Sequence, residues 1–369
     1  MRKLIYSLLC LLSVACLFGC GEKILEAPPV SSITSEGYWK AEGDVVGYMT
    51  GIYDELRGLM NATYHFEDRG DEFVVGLEGP GSVAWEQNLN DANAPVWLDH
   101  YNLIHHTNLL LKYGPGISFV DQKKKDRLLA EAHFVRAFTY FLLIKSWDNV
   151  PLVLEPTESD DVPFPKRIPA TEIMSAILDD IEQAITLFSD GSIPNKAKVS
   201  RQAAYALKAD ALLWKAKVLG GGQADLEAAV TAVDNATPGL GLVMDDFSKI
   251  FATNNKNNSE ILFSIHFQRD ERSDQYGSRM KPRDLFVNAA VNRDDLPFTK
   301  DLGARSVYAP SPKIQNLFGA NPNDKRTAVS IIRAVGPGNA TIGWFDNKFR
   351  GTFYADANDR LFDNDIIVY

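Results

Sequence analysis

Between residues 123 and 147 the chain carries a helical pattern that could not lie against water. Leu128, Ala132, Val135, Thr139 and Leu142 recur at three- and four-residue steps, and Phe134, Phe138 and Phe141 widen the stripe. A helix apolar round most of its circumference must be enclosed by neighbours, so the rest of the chain has to supply partners. Val45, Met49, Ile52, Tyr53, Leu56 and Met60 predict a helix across roughly 36–60. Trp97, Tyr101, Ile104, Asn108 and Leu111 predict a second, ended by Gly114-Pro115. Thr171 is read as the cap of a helix carrying Ile173, Ile177, Ile181, Ala184, Ile185 and Phe188. Ser200 is read as the cap of another bearing Ala203, Ala204, Leu207, Ala211 and Trp214, closed by Gly220, Gly221 and Gly222. Residues 225–233 add one more.

Successive amphipathic helices with alanine-rich contacts predict antiparallel αα-hairpins in a partial right-handed superhelix, although no strict period of about 34 residues is visible. The predicted fold is therefore mainly α: an irregular tetratricopeptide-like helical repeat frame over 35–240, then a loop-rich region with short strands over 241–369. Pro151, Pro156, Pro163, Pro165 and Pro169 make 149–169 an extended crossing inside the frame, and 260–267 alternates like a strand.

The N-terminus addresses the chain rather than folding. Arg2 and Lys3 precede an apolar run from Leu4 to Phe18, so 1–19 reads as an export signal. Leu17-Phe18-Gly19-Cys20 resembles a bacterial lipobox, which makes Cys20 the predicted lipidated N-terminus, and 20–34, with Pro28-Pro29 and Ser31-Ser32, an extended tether. Of the three cysteines, Cys10 and Cys16 leave with the signal, so the body folds without an internal disulfide. The net charge of −10 disfavours nucleic acid as a partner and adsorption on anionic lipid, leaving acyl chains at Cys20 as the predicted hold on the membrane.

No nucleophile elbow, zinc-protease helix or phosphate loop is present in the sequence, and no cofactor or metal is expected. Gly79 to Ala84 lacks a βαβ setting for a dinucleotide turn. His100, His105 and His106 are not spaced as helical ligands, and the acidic run from Asp356 to Asp365 lacks the glycine and final glutamate of a calcium loop. Asp179-Asp180 and Asp294-Asp295 read as solvated faces, Glu131 and Arg136 as buried charges paired with other helices, and Trp39, Trp97, Trp147 and Trp214 as core.

Several ordered segments together resemble the SusD/RagB family of outer-membrane nutrient-binding lipoproteins. They are Cys20; 35–40 (SEGYWK) with 51–53 (GIY); 101–104 (YNLI) with Asn108; 130–138 (AEAHFVRAF); 148–152 (DNVPL); 200–204 (SRQAA); and 259–264 (SEILFS). His133 stands where the family often carries arginine. The chain also stops at Tyr369, where members continue into further helices, so the C-terminus reads as truncated, with an exposed apolar end at Ile366-Ile367-Val368. The resemblance implies a non-enzymatic, lipid-anchored, surface-exposed outer-membrane protein. It would capture oligosaccharide, or in the RagB-like branch peptide, for a TonB-dependent (SusC-like) transporter.

A sugar offers a C–H face that packs on aromatic planes and a rim of hydroxyls needing directional partners. The best such cluster follows the first helix: Tyr64, His65, Asp68, Arg69, Asp71, Glu72, Trp85 and Asn88, with Trp85 as the platform and Asn88 and Asp71 as hydroxyl clamps. The resemblance implies that later loops contribute too, with Tyr276, Tyr308 and Trp344 as candidates. Packing is the alternative role for Trp85 and the favoured one for those three. A secreted polysaccharide-degrading enzyme and a protein-binding helical scaffold remain the competing functions.

Overall fold

The computed structural model describes residues 35–369 apart from 63–67, 81–84, 86, 160, 162–163, 194, 244, 274, 301–303 and 322. The export signal, Cys20 and the tether, together with Tyr64 and His65, lie outside the described residues.

The chain is mainly α. Helices α1 (Glu42–Met60), α2 (Leu98–Tyr113), α3 (Gln122–Trp147), α4 (Ala170–Leu187), α5 (Arg201–Val218) and α6 (Gln223–Ala236) form the frame, each packed against the next in a tetratricopeptide-like series. Helix α3 is its centre: every residue from Leu129 to Ile144 except His133 is buried. Asp121 caps it by accepting from Lys123 N at 2.9 Å, and Ser200 caps α5 by accepting from Ala203 N at 3.2 Å.

Two helix starts differ from the sequence reading. The first helix is broken: a turn at Ser35–Tyr38 is followed by a non-helical Trp39 and Lys40, because the Asp44 carboxylate takes the backbone N–H of Lys40 (2.9 Å) and Ala41 (2.7 Å) and so fixes a fresh start at Glu42. Pro169, not Thr171, precedes the first residue of α4, and Thr171 lies within its first turn. Asp180 is also no solvated residue. It is 5% exposed and accepts from Arg136 Nη2 (2.7 Å), Arg136 Nε (2.8 Å) and His133 Nδ1 (2.7 Å) of α3.

The remainder of the chain is loop-rich and carries short antiparallel strand pairs. β1 (Phe73–Val75) pairs with β5 (Tyr308–Pro310), β2 (Val150–Pro151) with β3 (Arg167–Ile168), and β4 (Ser264–Ile265) with β10 (Ile366–Ile367). β6 (Ile331–Val335) pairs with β7 (Thr341–Asp346), and β8 (Thr352–Tyr354) with β9 (Asp359–Leu361). The strand expected over 260–267 shrinks to β4, because Ile261 through Ile265 are all buried rather than alternating. Phe263, Ile265, Phe267, Tyr276, Met280, Tyr308 and Ile366 join the same core as the frame, so this region is fused to the helices. A small second core holds Val287, Ala290, Leu296, Ala334 and Phe345.

The apolar end is not exposed as expected. Ile366 is 4% exposed, β10 lies on β4, and the Tyr369 hydroxyl donates to Asp210 Oδ2 on α5 at 3.2 Å. Among the described residues no helix is long and apolar enough to cross a membrane.

Candidate functional site

The segment between α1 and α2 leaves the helical frame and returns, and β1 fastens it to the distant β5 strand. Phe73 faces Pro310, Val74 faces Ala309 and Val75 faces Tyr308. Gly76 and Glu78 extend the pairing through N–H bonds to the carbonyls of Val307 and Ser306, both at 2.8 Å. A Cβ at Gly76 would lie 2.3 Å from the Ser306 carbonyl oxygen, so only glycine permits this approach.

Tyr308 is the pillar of the site. Its ring is 4% exposed, its hydroxyl donates to Asp68 Oδ1 at 2.9 Å, and the Trp85 ring stands edge-on to it at 5.1 Å and 86°. Phe73 completes the aromatic group at 6.5 Å from Tyr308. Above this floor opens a hollow of about 740 Å³ lined by Asp68, Arg69, Asp71, Trp85, Gln87 and Leu89 together with β1. Its size lies within the usual range for small-molecule sites.

Charge is distributed so that donors and acceptors both face this space. Arg69 spends one nitrogen, Nη2, on the Ser146 carbonyl at the end of α3 (3.1 Å), its single hydrogen bond among the described residues. Lys313 bonds the exposed Asp71 carboxylate, and that hydrogen bond holds the Asp71 pKa below the usual carboxylate value. Asp71 therefore stays ionised at neutral pH, an acceptor for hydroxyls and not a proton donor. Trp85 is half-buried; its Nε1 is enclosed and finds no acceptor among the described residues.

The structure thus brings Asp68, Arg69, Asp71 and Trp85 together and leaves out the other candidates. Asn88 is exposed beside the hollow, between two residues that line it, and its carbonyl accepts from Asn90 Nδ2 (3.2 Å) and Asn93 Nδ2 (2.7 Å) to shape the loop. Tyr276 is 7% exposed in the main core and presents no face to a ligand, on a short 3-10 turn whose Tyr276, Gly277, Ser278 and Met280 are all buried. Tyr308 acts from beneath. Trp344 is half-buried on β7 opposite Arg333 and lines no part of the hollow. The sequence reading missed Phe73, Val74, Val75, Gln87 and Leu89 as lining, and nothing in their local pattern separates them from ordinary strand and loop residues.

The histidines serve packing. Burial pushes the His100 pKa down to about 4, keeping it neutral against Trp147 at 5.2 Å, and His106 Nδ1 pairs with the Tyr48 hydroxyl at 2.7 Å. The carboxylates from 356 to 365 are spent separately: Asp356 on Arg269, Asp363 on Tyr354, Asp365 on Ser264, His266 and Phe267.

Known proteins share this fold. A SusD-like family model described as starch-binding associating with outer membrane matches residues 60–213, which include Arg69, Asp71 and Trp85. A SusD-like protein of Formosa agariphila is 25% identical over 274 residues, covering 69% of this chain and 50% of that protein. A second from the same organism is 33% identical over 193 residues, covering 50% of this chain and 37% of that one. The chain thus spans half or less of the length of these two relatives. Among solved structures, NanU of B. fragilis superposes with a TM-score of 0.78 at 26% identity, over 93% of this chain and 74% of that one.

Proposed function

The chain belongs to the SusD-like family, and on that premise we propose that it is a cell-surface lipoprotein that captures an oligosaccharide in the hollow over Tyr308 without cutting it. The observation that carries this reading is the juxtaposition of the Trp85 ring with the Arg69 guanidinium and the Asp71 carboxylate round one open hollow. A sugar ring stacked on the indole buries its C–H face against a large apolar plane. Charge-assisted hydrogen bonds from Arg69 and to Asp71 fix its hydroxyl rim.

Hydrolysis is disfavoured by the same geometry. A glycosidase needs one carboxylic acid kept protonated to donate to the leaving group, whereas the exposed Asp71 of this hollow is held ionised by Lys313. In the proposed sequence of events, acyl chains on Cys20 tether the protein to the outer membrane, and the loaded protein passes its ligand to a TonB-dependent, SusC-like transporter.

Isothermal titration of the full chain with a panel of neutral oligosaccharides tests the reading. At least one glycan should bind and remain uncut, and Trp85→Ala should abolish its binding with the circular dichroism spectrum unchanged. A folded protein that ignores the panel and binds peptides would move the chain to the peptide-uptake branch, while release of shorter glycans would make it an enzyme.

A further inference from the structure

A different hollow, of about 510 Å³, lies in the loop-rich region between residues 248–254 and 347–364. Its charged lining is of one sign: Lys348, Arg350 and Arg360 border it, and no Asp or Glu does. That is unexpected in a chain with 48 acidic side chains against 38 basic ones, where a cation ordinarily finds a carboxylate. None of the three forms an ion pair among the described residues. The carboxylates that act on them, Asp295 on Arg350 and Asp359 on Arg360, do so from beyond contact. The neighbouring Lys281, fully buried, is already matched by Asp346.

The hydrogen bonds leave donors unused. Arg360 Nη1 donates to the carbonyls of Arg350 (2.9 Å) and Gly351 (3.3 Å), but its Nε is enclosed with no acceptor among the described residues. Arg350 spends its two terminal nitrogens on Asn347 Oδ1 and the Asp295 carbonyl. Lys348 Nζ lies 5.4 Å from the Phe251 ring centroid and makes no hydrogen bond among the described residues. Burial lowers the pKa of both guanidinium groups, and Arg350 lowers that of Arg360 further. The backbone is built round this crowding: Gly351 has φ +62°, and a Cβ there would lie 2.1 Å from the Leu361 carbonyl oxygen.

Partly desolvated cations without counter-ions are costly, and an anion seated among them would relieve that cost. We propose that this hollow is a binding site for an oxyanion, a sulfate or carboxylate group, held by Lys348 and Arg360. Thr253 and Asn254 border the same space and could meet the hydroxyls of a sugar carrying that group, and Phe251 could meet its ring. The site shares no residue with the hollow over Tyr308, so its success or failure is independent of the neutral-glycan reading.

Titration of the full chain with inorganic sulfate, a sulfated disaccharide, its unsulfated counterpart and digalacturonate tests the proposal. At least one anionic probe should bind, more weakly as salt is raised, and the unsulfated sugar should not bind here. Lys348→Gln, at a half-exposed position, should weaken binding about ten-fold, the loss expected of one charge-assisted hydrogen bond. Arg360→Gln should do the same or more, and Trp85→Ala should change nothing. An acidic sugar at least ten-fold tighter than inorganic sulfate assigns the site to saccharides; equal affinities assign it to the free ion. Binding of none of the anionic probes, equal binding of the sulfated and unsulfated sugars by the Trp85→Ala protein, or unchanged affinity in a folded Lys348→Gln protein would overturn it.

Discussion

Asp180→Ala would remove the counter-ion from the middle of the helical frame. Beyond its bonds to Asp180, Arg136 Nη1 donates to Asn108 Oδ1 (2.8 Å) and to the Leu154 carbonyl (3.2 Å), while Asn108 Nδ2 donates to the Val153 carbonyl (3.0 Å). The network therefore ties α2, α3 and α4 to the proline-rich crossing. Without Asp180, Arg136, only 8% exposed, becomes a buried charge with no counter-ion. Breaking a buried pair from one side costs about 3–5 kcal/mol, a large share of the roughly 5–15 kcal/mol that holds a typical domain together. The adjacent Asp179 is exposed, so Asp179→Ala should stay within about 0.5 kcal/mol of wild type. Urea unfolding of the three proteins measures the difference.

The effect has a pH signature. Burial alone would raise the Asp180 pKa, but the hydrogen bonds from Arg136 and His133 outweigh it and hold the carboxyl below its usual value. A depressed folded-state pKa contributes stability that is complete above the unfolded value of about 3.9 and lost as pH falls through the folded one. The gap between wild type and Asp180→Ala should therefore close on acidification below about pH 4. A loss under 1 kcal/mol at pH 7, or a gap that does not shrink in acid, would refute this account of the network.

Three further outcomes are expected. Glu131 is buried on α3 among Tyr53, Lys198 and Arg127, and burial raises its pKa to about 7; because the folded state then holds the proton more tightly than the unfolded one, stability should fall by on the order of 3 kcal/mol as pH rises from about 4.5 to above 7, and Glu131→Gln should flatten that slope in urea titrations at several pH values. Tyr308→Phe keeps the floor under Trp85 but frees Asp68, so calorimetry should find a small loss of stability, about 1 kcal/mol, and weaker glycan binding, whereas Tyr308→Ala should cost about 3–5 kcal/mol. Cys20→Ser should move the protein from the membrane fraction to the soluble fraction of fractionated cells, and retention in the membrane would contradict the lipid anchor.

The helical frame was readable because it depends on local periodicity and capping. The apolar width of 123–147 demanded enclosure, and α3 is enclosed; Ser200 offered a cap, and it is one. Readings failed where a side chain several residues away, or burial on both faces, decided the backbone. Asp44 restarts α1, and β4 is buried on both sides, so neither shows its expected pattern. Asp180 looked like half of a solvated pair because nothing near it in sequence announces Arg136 and His133.

The site divides in the same way. Asp68, Arg69, Asp71 and Trp85 lie close in the chain and could be grouped by chemistry alone. Their support comes from Tyr308, 240 positions from the Asp68 it bonds, through a strand pairing that no local pattern announces. Aromatic side chains in irregular loops carry no periodicity that sorts core from surface: Tyr276 and Tyr308 are candidates for ligand contact with packing as the favoured role, and both are buried.

The most direct test of ligand capture is a crystal structure of the full chain with whichever oligosaccharide titrates most tightly. The account predicts an intact glycan with one ring against Trp85 and hydroxyls within hydrogen-bond reach of Arg69 and Asp71. A glycan bound elsewhere while this hollow holds only solvent, or a shortened product in place of the added sugar, would contradict it.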